Sequence, residues 1–239
     1  MYLVEGNMGV GKSTFLKLID QHLPEVKILT EPVDNWMTQI HGQSLLDNFY
    51  KNPKRWAYTL ETLAMTHRVR DHVREQEKNE PNLIMERSVY SGHYCFASND
   101  LESGYFTNVE WVIYNKWADY LVHQKCKAPN GFIYLKADPE VCLKRVKKRN
   151  RNCEKTVPLS YIKQIEKWHD NFLINKENVS DKIKNTPVLV LDCNQDFLEN
   201  PENMQKHVFK IKLFLEQTQN PKHDSIMPKA LQYTKEASL

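Results

Sequence analysis

The chain has no long apolar run. No stretch approaches the ~18 consecutive apolar residues of a membrane-spanning helix, so no membrane partner is expected. It also lacks a cysteine framework. Cys95, Cys126, Cys142, Cys153 and Cys193 are odd in number and form no Cys-x-x-Cys pair, which argues against a disulfide scaffold or zinc site and for reduced thiols. An excess of one charge is missing too: the net charge is +3 from 33 basic and 30 acidic residues, whereas a nucleic-acid-coating protein is usually far more basic. There is no internal repeat and no flexible linker. The N-terminus enters a β-prone run at once, so a signal peptide is not expected, and the expected location is the cytoplasm, with the nucleus left open. What remains is a chain of 239 residues, 41% hydrophobic, long enough for a sizeable core.

The most informative stretch is Gly6-Asn7-Met8-Gly9-Val10-Gly11-Lys12-Ser13, followed by Thr14. It fits G-x-x-x-x-G-K-[ST] and stands where that pattern has meaning, between the β-prone Tyr2-Leu3-Val4-Glu5 and a helix-spaced run from Thr14 to Ile19. Glycines let main-chain N–H groups turn toward phosphate oxygens, and a helix N-terminus adds unpaired donors. Lys12 would reach the outer phosphates and the Ser13 hydroxyl would ligate Mg²⁺. The plain alternative is a chance glycine-rich turn.

Short apolar runs recur at 3–5, 27–30, 83–85, 132–135 and 188–191, separated by long helical stretches. That alternation predicts an α/β fold with about five parallel strands and helices on both faces. Ligands of such sheets bind beyond the carboxyl ends of the strands, so the strand-end residues are the first candidates for chemistry. Glu31-Pro32, with Trp36 five residues after the glutamate, suits a general base acting on a hydroxyl; the alternative is a loop acid capping the next helix. In Glu86-Arg87-Ser88, Glu86 would bind Mg²⁺ and Arg87 would bridge phosphate and acceptor. Ser88 reads equally as a helix N-cap, and both readings can hold together. Arg145, Lys147, Lys148, Arg149 and Arg151 are either a solvated helix face, a weak nuclear-localisation signal, or a flap that closes over a transferring phosphoryl group. Trp111, Ile113, Tyr114 and Trp117 share helical spacing, as core or as a surface for a second copy. The run 199–217 reads as a closing helix and 218–239 as a polar, poorly ordered tail.

Together these motifs resemble the cellular deoxyribonucleoside kinases over nearly all of residues 1–217, read as one domain. The resemblance rests on Glu5-Gly6-Asn7, the phosphate loop, Thr30-Glu31-Pro32-Val33 with Trp36, and Tyr50 with Pro53, Arg55 and Trp56. It continues through Glu86 to Ser91, Phe96-Ala97-Ser98-Asn99, Glu110-Trp111, Arg145 to Arg151, Pro158 to Tyr161 and Asp196-Phe197. Phe96 to Asn99 and Gly131 to Leu135 favour the deoxycytidine/deoxyguanosine branch, while Glu154 to Leu159 is similar to the mitochondrial thymidine kinase branch. The resemblance implies a P-loop kinase fold with an arginine-rich lid at about 145–157, a homodimer, and transfer of the ATP γ-phosphoryl group to a deoxyribonucleoside 5′-hydroxyl with Mg²⁺. It implies Glu31 as base, Lys12 and the loop on the donor phosphates, and Ser13 and Glu86 on the metal. Arg87 would bridge the 5′ oxygen and the phosphates, with Arg145, Arg149 and Arg151 in the lid and Asp196-Phe197 by the donor base. The nucleoside would lie among Trp36, Tyr50, Glu61, Ala64, Arg68, Gly92, Phe96 and Glu154.

Three positions depart from the family pattern. Glu61 stands where the family has a glutamine that reads the base edge. Gly92 stands where the deoxycytidine branch has an aspartate paired with the residue matching Arg68. Cys153 stands where an acid is common. The first two changes move a negative charge rather than remove it, which predicts a pair between Arg68 and Glu61. An ionised Glu61 only accepts hydrogen bonds. That favours guanine or thymine edges, while branch resemblance favours cytosine and a protonated Glu61 would read it.

Overall fold

The computed structural model describes residues 1–31, 44–197 and 200–219. Five strands form one parallel sheet: β1 (Tyr2–Glu5), β2 (Lys27–Leu29), β3 (Leu83–Glu86), β4 (Gly131–Lys136) and β5 (Val188–Asp192), in the order β2-β3-β1-β4-β5. All five coincide with the predicted apolar runs to within a residue or two. The register pairs Val4 with both Glu86 and Ile133, so β1 and β3 end within a residue of each other while β4 runs on beyond them to Lys136. The chain leaves β1 toward β3 and β2 and returns to its other side for β4 and β5. That reversal opens a crevice at the end of β1, where the glycine loop lies.

Alternate side chains of each strand enter two cores. Val4, Ile84, Ile133 and Leu189 pack against Phe15, Leu16 and Ile19 of α1 (Lys12–His22). Leu3, Met85, Phe132 and Tyr134 face Met65 and Val69 of the 26-residue α3 (Pro53–Lys78), which follows α2 (Leu45–Lys51). The start of α3 has a local cause: the Asn52 side chain accepts from the Arg55 amide, and Pro53 takes the first helical position, where no N–H is needed. The helical run 89–102, here α4, passes through a wider π-type turn at Gly92–Ala97. A capping box between Thr107 and Glu110 starts α5 (Asn108–Ala118). The rest are α6 (Pro139–Arg149), α7 (Leu159–Asp170), α8 (Asp181–Lys184) and α9 (Pro201–Gln219).

The closing helix differs from its expected bounds. Thr218 and Gln219, expected in the tail, belong to α9, and the Thr218 hydroxyl lies 2.6 Å from that of Tyr2. This contact with β1 extends the helix beyond the apolar residues that revealed it. The rest of the expected tail lies outside the described residues.

Candidate active site

The glycine loop is shaped by what it touches. Gly6 (φ 146°) and Gly9 (φ 75°) hold left-handed backbone. A Cβ on Gly6 would lie 2.5 Å from the Leu135 carbonyl oxygen, and one on Gly9 would collide with that of Cys142. Only glycine lets the loop lie this close to β4 and α6. The Asn7 side chain donates to the Ile162 carbonyl (2.8 Å), tying the loop to α7. Lys12 Nζ donates to the Gly6 and Asn7 carbonyls (3.0 and 2.8 Å). Burial, helped by the nearby Arg87 charge, lowers its pKa to about 7. Ser13 Oγ donates to Glu86 Oε1 (3.0 Å), so the two expected metal ligands meet. A hydroxyl and a carboxylate are hard oxygen donors, and Mg²⁺ typically takes only one or two carboxylates besides waters and phosphates; the donor set fits.

Beside the loop, two strand-end charges, Glu31 and Arg87, converge with Arg68 of α3. Glu31 Oε1 accepts from Arg68 Nε and Nη2 (3.0 and 2.7 Å), and Glu31 Oε2 lies 3.3 Å from Arg87 Nε. Burial alone would raise the Glu31 carboxyl; Arg68 and Arg87 outweigh it and hold it below the usual carboxylate range. Arg87 sits at φ 62°, an uncommon conformation for a side chain of this size. Its guanidinium stacks 4.7 Å over the Phe96 ring, and its buried Nη1 has no hydrogen-bond partner among the described residues. Ser88 serves the plain reading at the same time: its hydroxyl accepts from the Tyr90 and Ser91 amides and donates to Glu5.

A cavity of about 510 Å³ joins these groups. Its wall includes Met8, Gly9, Gly11, Lys12, Ser13, Thr14, Glu31, Tyr50, Glu61, Arg68, Glu86, Arg87, Phe96, Glu154, Asp196 and Phe197. It also includes Arg145, Arg149 and Arg151. Ala64 and Gly92 are buried and are not on its wall, and Trp36 lies outside the described residues. Phe49, Leu60 and Tyr161 also line it without having been assigned a role in the sequence. Tyr161 is the one with a signal, since it closes the motif that begins at Pro158.

Two expectations need correction. Arg68 turns its Nε and Nη2 to Glu31, and no bond to Glu61 accompanies them; Glu61 Oε2 is buried with no hydrogen-bond partner among the described residues. The missing side chain of Gly92 explains part of this: a Cβ there would lie 2.8 Å from Arg68 Nη1, so the guanidinium fills that space. Arg145 does not hang in a flap. It donates to the carbonyls of Val10, Cys193, Asn194 and Gln195 (2.8–3.2 Å), clamping the glycine loop to the turn after β5. Arg149 and Arg151 both reach Glu154 (2.6 and 3.5 Å).

A glycine loop on a five-stranded parallel sheet, with a carboxylate and an arginine at neighbouring strand ends, defines a P-loop kinase. The deoxynucleoside kinase family model matches residues 2–216. Human deoxycytidine kinase is 34% identical over 235 residues, covering 89% of each chain, and chicken deoxycytidine kinase 2 is 35% identical over the same coverage. Mitochondrial deoxyguanosine kinase of Xenopus laevis is 36% identical over 220 residues, covering 82% of each. The chain belongs to the deoxynucleoside kinase family, as a deoxycytidine kinase-like enzyme.

Proposed function

We propose that the protein transfers the γ-phosphoryl group of ATP to the 5′-hydroxyl of a deoxyribonucleoside, with deoxycytidine or purine deoxynucleosides favoured. The observation that carries this is the meeting of Glu31, Arg68 and Arg87 beside Lys12 in one cavity. Glu31, kept ionised by two arginines, takes the proton of a neutral hydroxyl. Arg87, with an uncommitted Nη1, donates to the oxygens between which the phosphoryl group passes. Lys12 and the loop amides hold the donor phosphates, and catalysis is positioning and charge stabilisation. Ser13 and Glu86 would hold Mg²⁺, which neutralises charge on the donor phosphates when bound. Arg149 and Arg151 exchange Glu154 for phosphate as substrates enter, freeing Glu154 and Tyr50 for the sugar hydroxyl. A nucleoside monophosphate acceptor fits less well, because Arg68 and Arg87 are already engaged by Glu31.

The test is the rate of phosphorylation, with ATP and Mg²⁺, of deoxycytidine, deoxyguanosine, deoxyadenosine and thymidine. Transfer to deoxycytidine or a purine deoxynucleoside is expected, and Glu31→Gln should slow it on the order of 10²–10⁴-fold. ATP binding with no transfer to any of the four would overturn the reading. Two further parts belong to this proposal. The five unpaired cysteines support a reducing compartment, the cytoplasm. An apolar stripe on α5 supports a homodimer.

A further inference from the structure

Glu61 lies on the cavity wall, only 6% exposed, and its Oε2 has no hydrogen-bond partner among the described residues. Asp100 on α4 is 1% exposed, its carboxyl oxygens make no well-formed hydrogen bond among them, and the neighbouring Asn99 amide is the one group that favours its charge. The groups around Glu61 are Arg68 on its own helix, Glu31 after β2, Arg87 after β3, Asp100 on α4, Tyr114 on α5 and Tyr161 on α7. The two arginines are directed at Glu31. Asp100 has no cation among its described neighbours, and the Tyr114 hydroxyl is itself buried without a partner among the described residues. This corner therefore holds two carboxyl groups where little favours negative charge.

Resting on the kinase reading above, we infer that Glu61 meets the nucleoside base as a neutral carboxyl group that gives up its proton within the working pH range, so that the choice of base depends on pH. Burial lifts the Glu61 carboxyl to about 7, against the pull of Arg68 and Arg87. Burial and then the charge of Glu61 push Asp100 well above its ordinary value. Neutral Glu61 offers one O–H donor beside one acceptor. It accepts from cytosine N4 or adenine N6 and donates to the neighbouring ring nitrogen. It also matches the carbonyl and ring N–H of guanine or thymine. Ionised Glu61 keeps only the acceptors. It still takes the N–H groups of guanine and thymine, but it repels the ring-nitrogen lone pair of cytosine and adenine. A buried mismatch of this kind discriminates strongly.

The experiment is kcat/KM for deoxycytidine and deoxyguanosine from about pH 5.5 to about pH 8.5, a range that spans the free enzyme's essential group. The deoxycytidine/deoxyguanosine ratio should fall as pH rises past about 7, by about tenfold per pH unit on its steep part. In Glu61→Gln the ratio should be flat. With the wild-type enzyme, 3-deazadeoxycytidine, which carries C–H in place of the ring lone pair, should show no such fall. A flat or rising wild-type ratio, or a fall retained by Glu61→Gln or by the deaza analogue, would overturn the inference while leaving the kinase reading intact. No phosphorylation of any deoxynucleoside at any pH would overturn that reading and this inference with it.

Discussion

At the scale of single residues, Glu31 shows how a base is kept ready. A carboxylate buried this deeply would hold its proton if it were alone. Arg68, donating twice to one oxygen, and Arg87, beside the other, reverse that. A depressed value means that Glu31 loses its charge only as pH falls below the ordinary carboxylate range, so the acid limb of kcat/KM should lie at low pH. Arg68→Met removes the larger of the two cationic influences. Burial then dominates, the Glu31 value rises, and the acid limb should move to higher pH. A limb that stays in place would mean that Arg68 does not set the charge of Glu31. The same arrangement shows why the sequence misled on this arginine. Seven residues along one helix put Glu61 and Arg68 on a common face, but Glu31 arrives from a strand end 37 positions away and offers both arginines a shared partner.

Among the elements, the strands were legible because each is a short apolar run, buried on both faces in the central β1, β3 and β4, and the glycine loop because its pattern only makes sense between a strand and a helix. The basic end of α6 was not. A charge run on a helix reads the same whether its side chains enter solvent, close on phosphate or cap other loops. The arginines of this run take two different courses: Arg149 and, just past the helix, Arg151 go to Glu154, while Arg145 crosses to carbonyls of the glycine loop and of the turn after β5. Buried or half-buried carbonyls after β5 have no strand partner, so the guanidinium satisfies them. Arg145→Ala should therefore destabilise the fold by on the order of 2–4 kcal/mol and weaken ATP binding through loss of order in the turn carrying Asp196 and Phe197. The nucleoside, held at the opposite end of the cavity, should bind nearly as before. Thermal unfolding and calorimetric titration of each ligand would check this, and equal weakening of both would show that Arg145 supports the whole cavity.

For the molecule as a whole, α5 divides the apolar stripe that its spacing announced. Tyr114 is 1% exposed, and Trp111 stacks on it with ring centroids 6.0 Å apart, joining the core beneath. The neighbouring face looks outward: Val109, Val112, Ile113, Trp117 and Tyr120 are between 40% and 69% exposed. Their spacing places them along one side of a helix, and a contiguous apolar patch of this kind marks an interaction surface. A second copy is the simplest occupant, since a two-fold axis lets the same face cover itself. In sedimentation equilibrium at micromolar concentration, the protein should weigh twice its 28.3 kDa chain. The double variant Val112→Glu, Trp117→Lys should weigh one chain, because charges would then have to be buried against apolar partners. One chain alone brings Lys12, Ser13, Glu31, Glu86 and Arg87 to the same cavity, so the monomeric variant should still phosphorylate nucleosides. A wild-type protein that sediments as one chain would leave this face to a different partner. A monomeric variant that folds but has lost its activity would mean that the second copy holds α4 and α5, and with them Asp100 and Phe96, in the geometry the base requires.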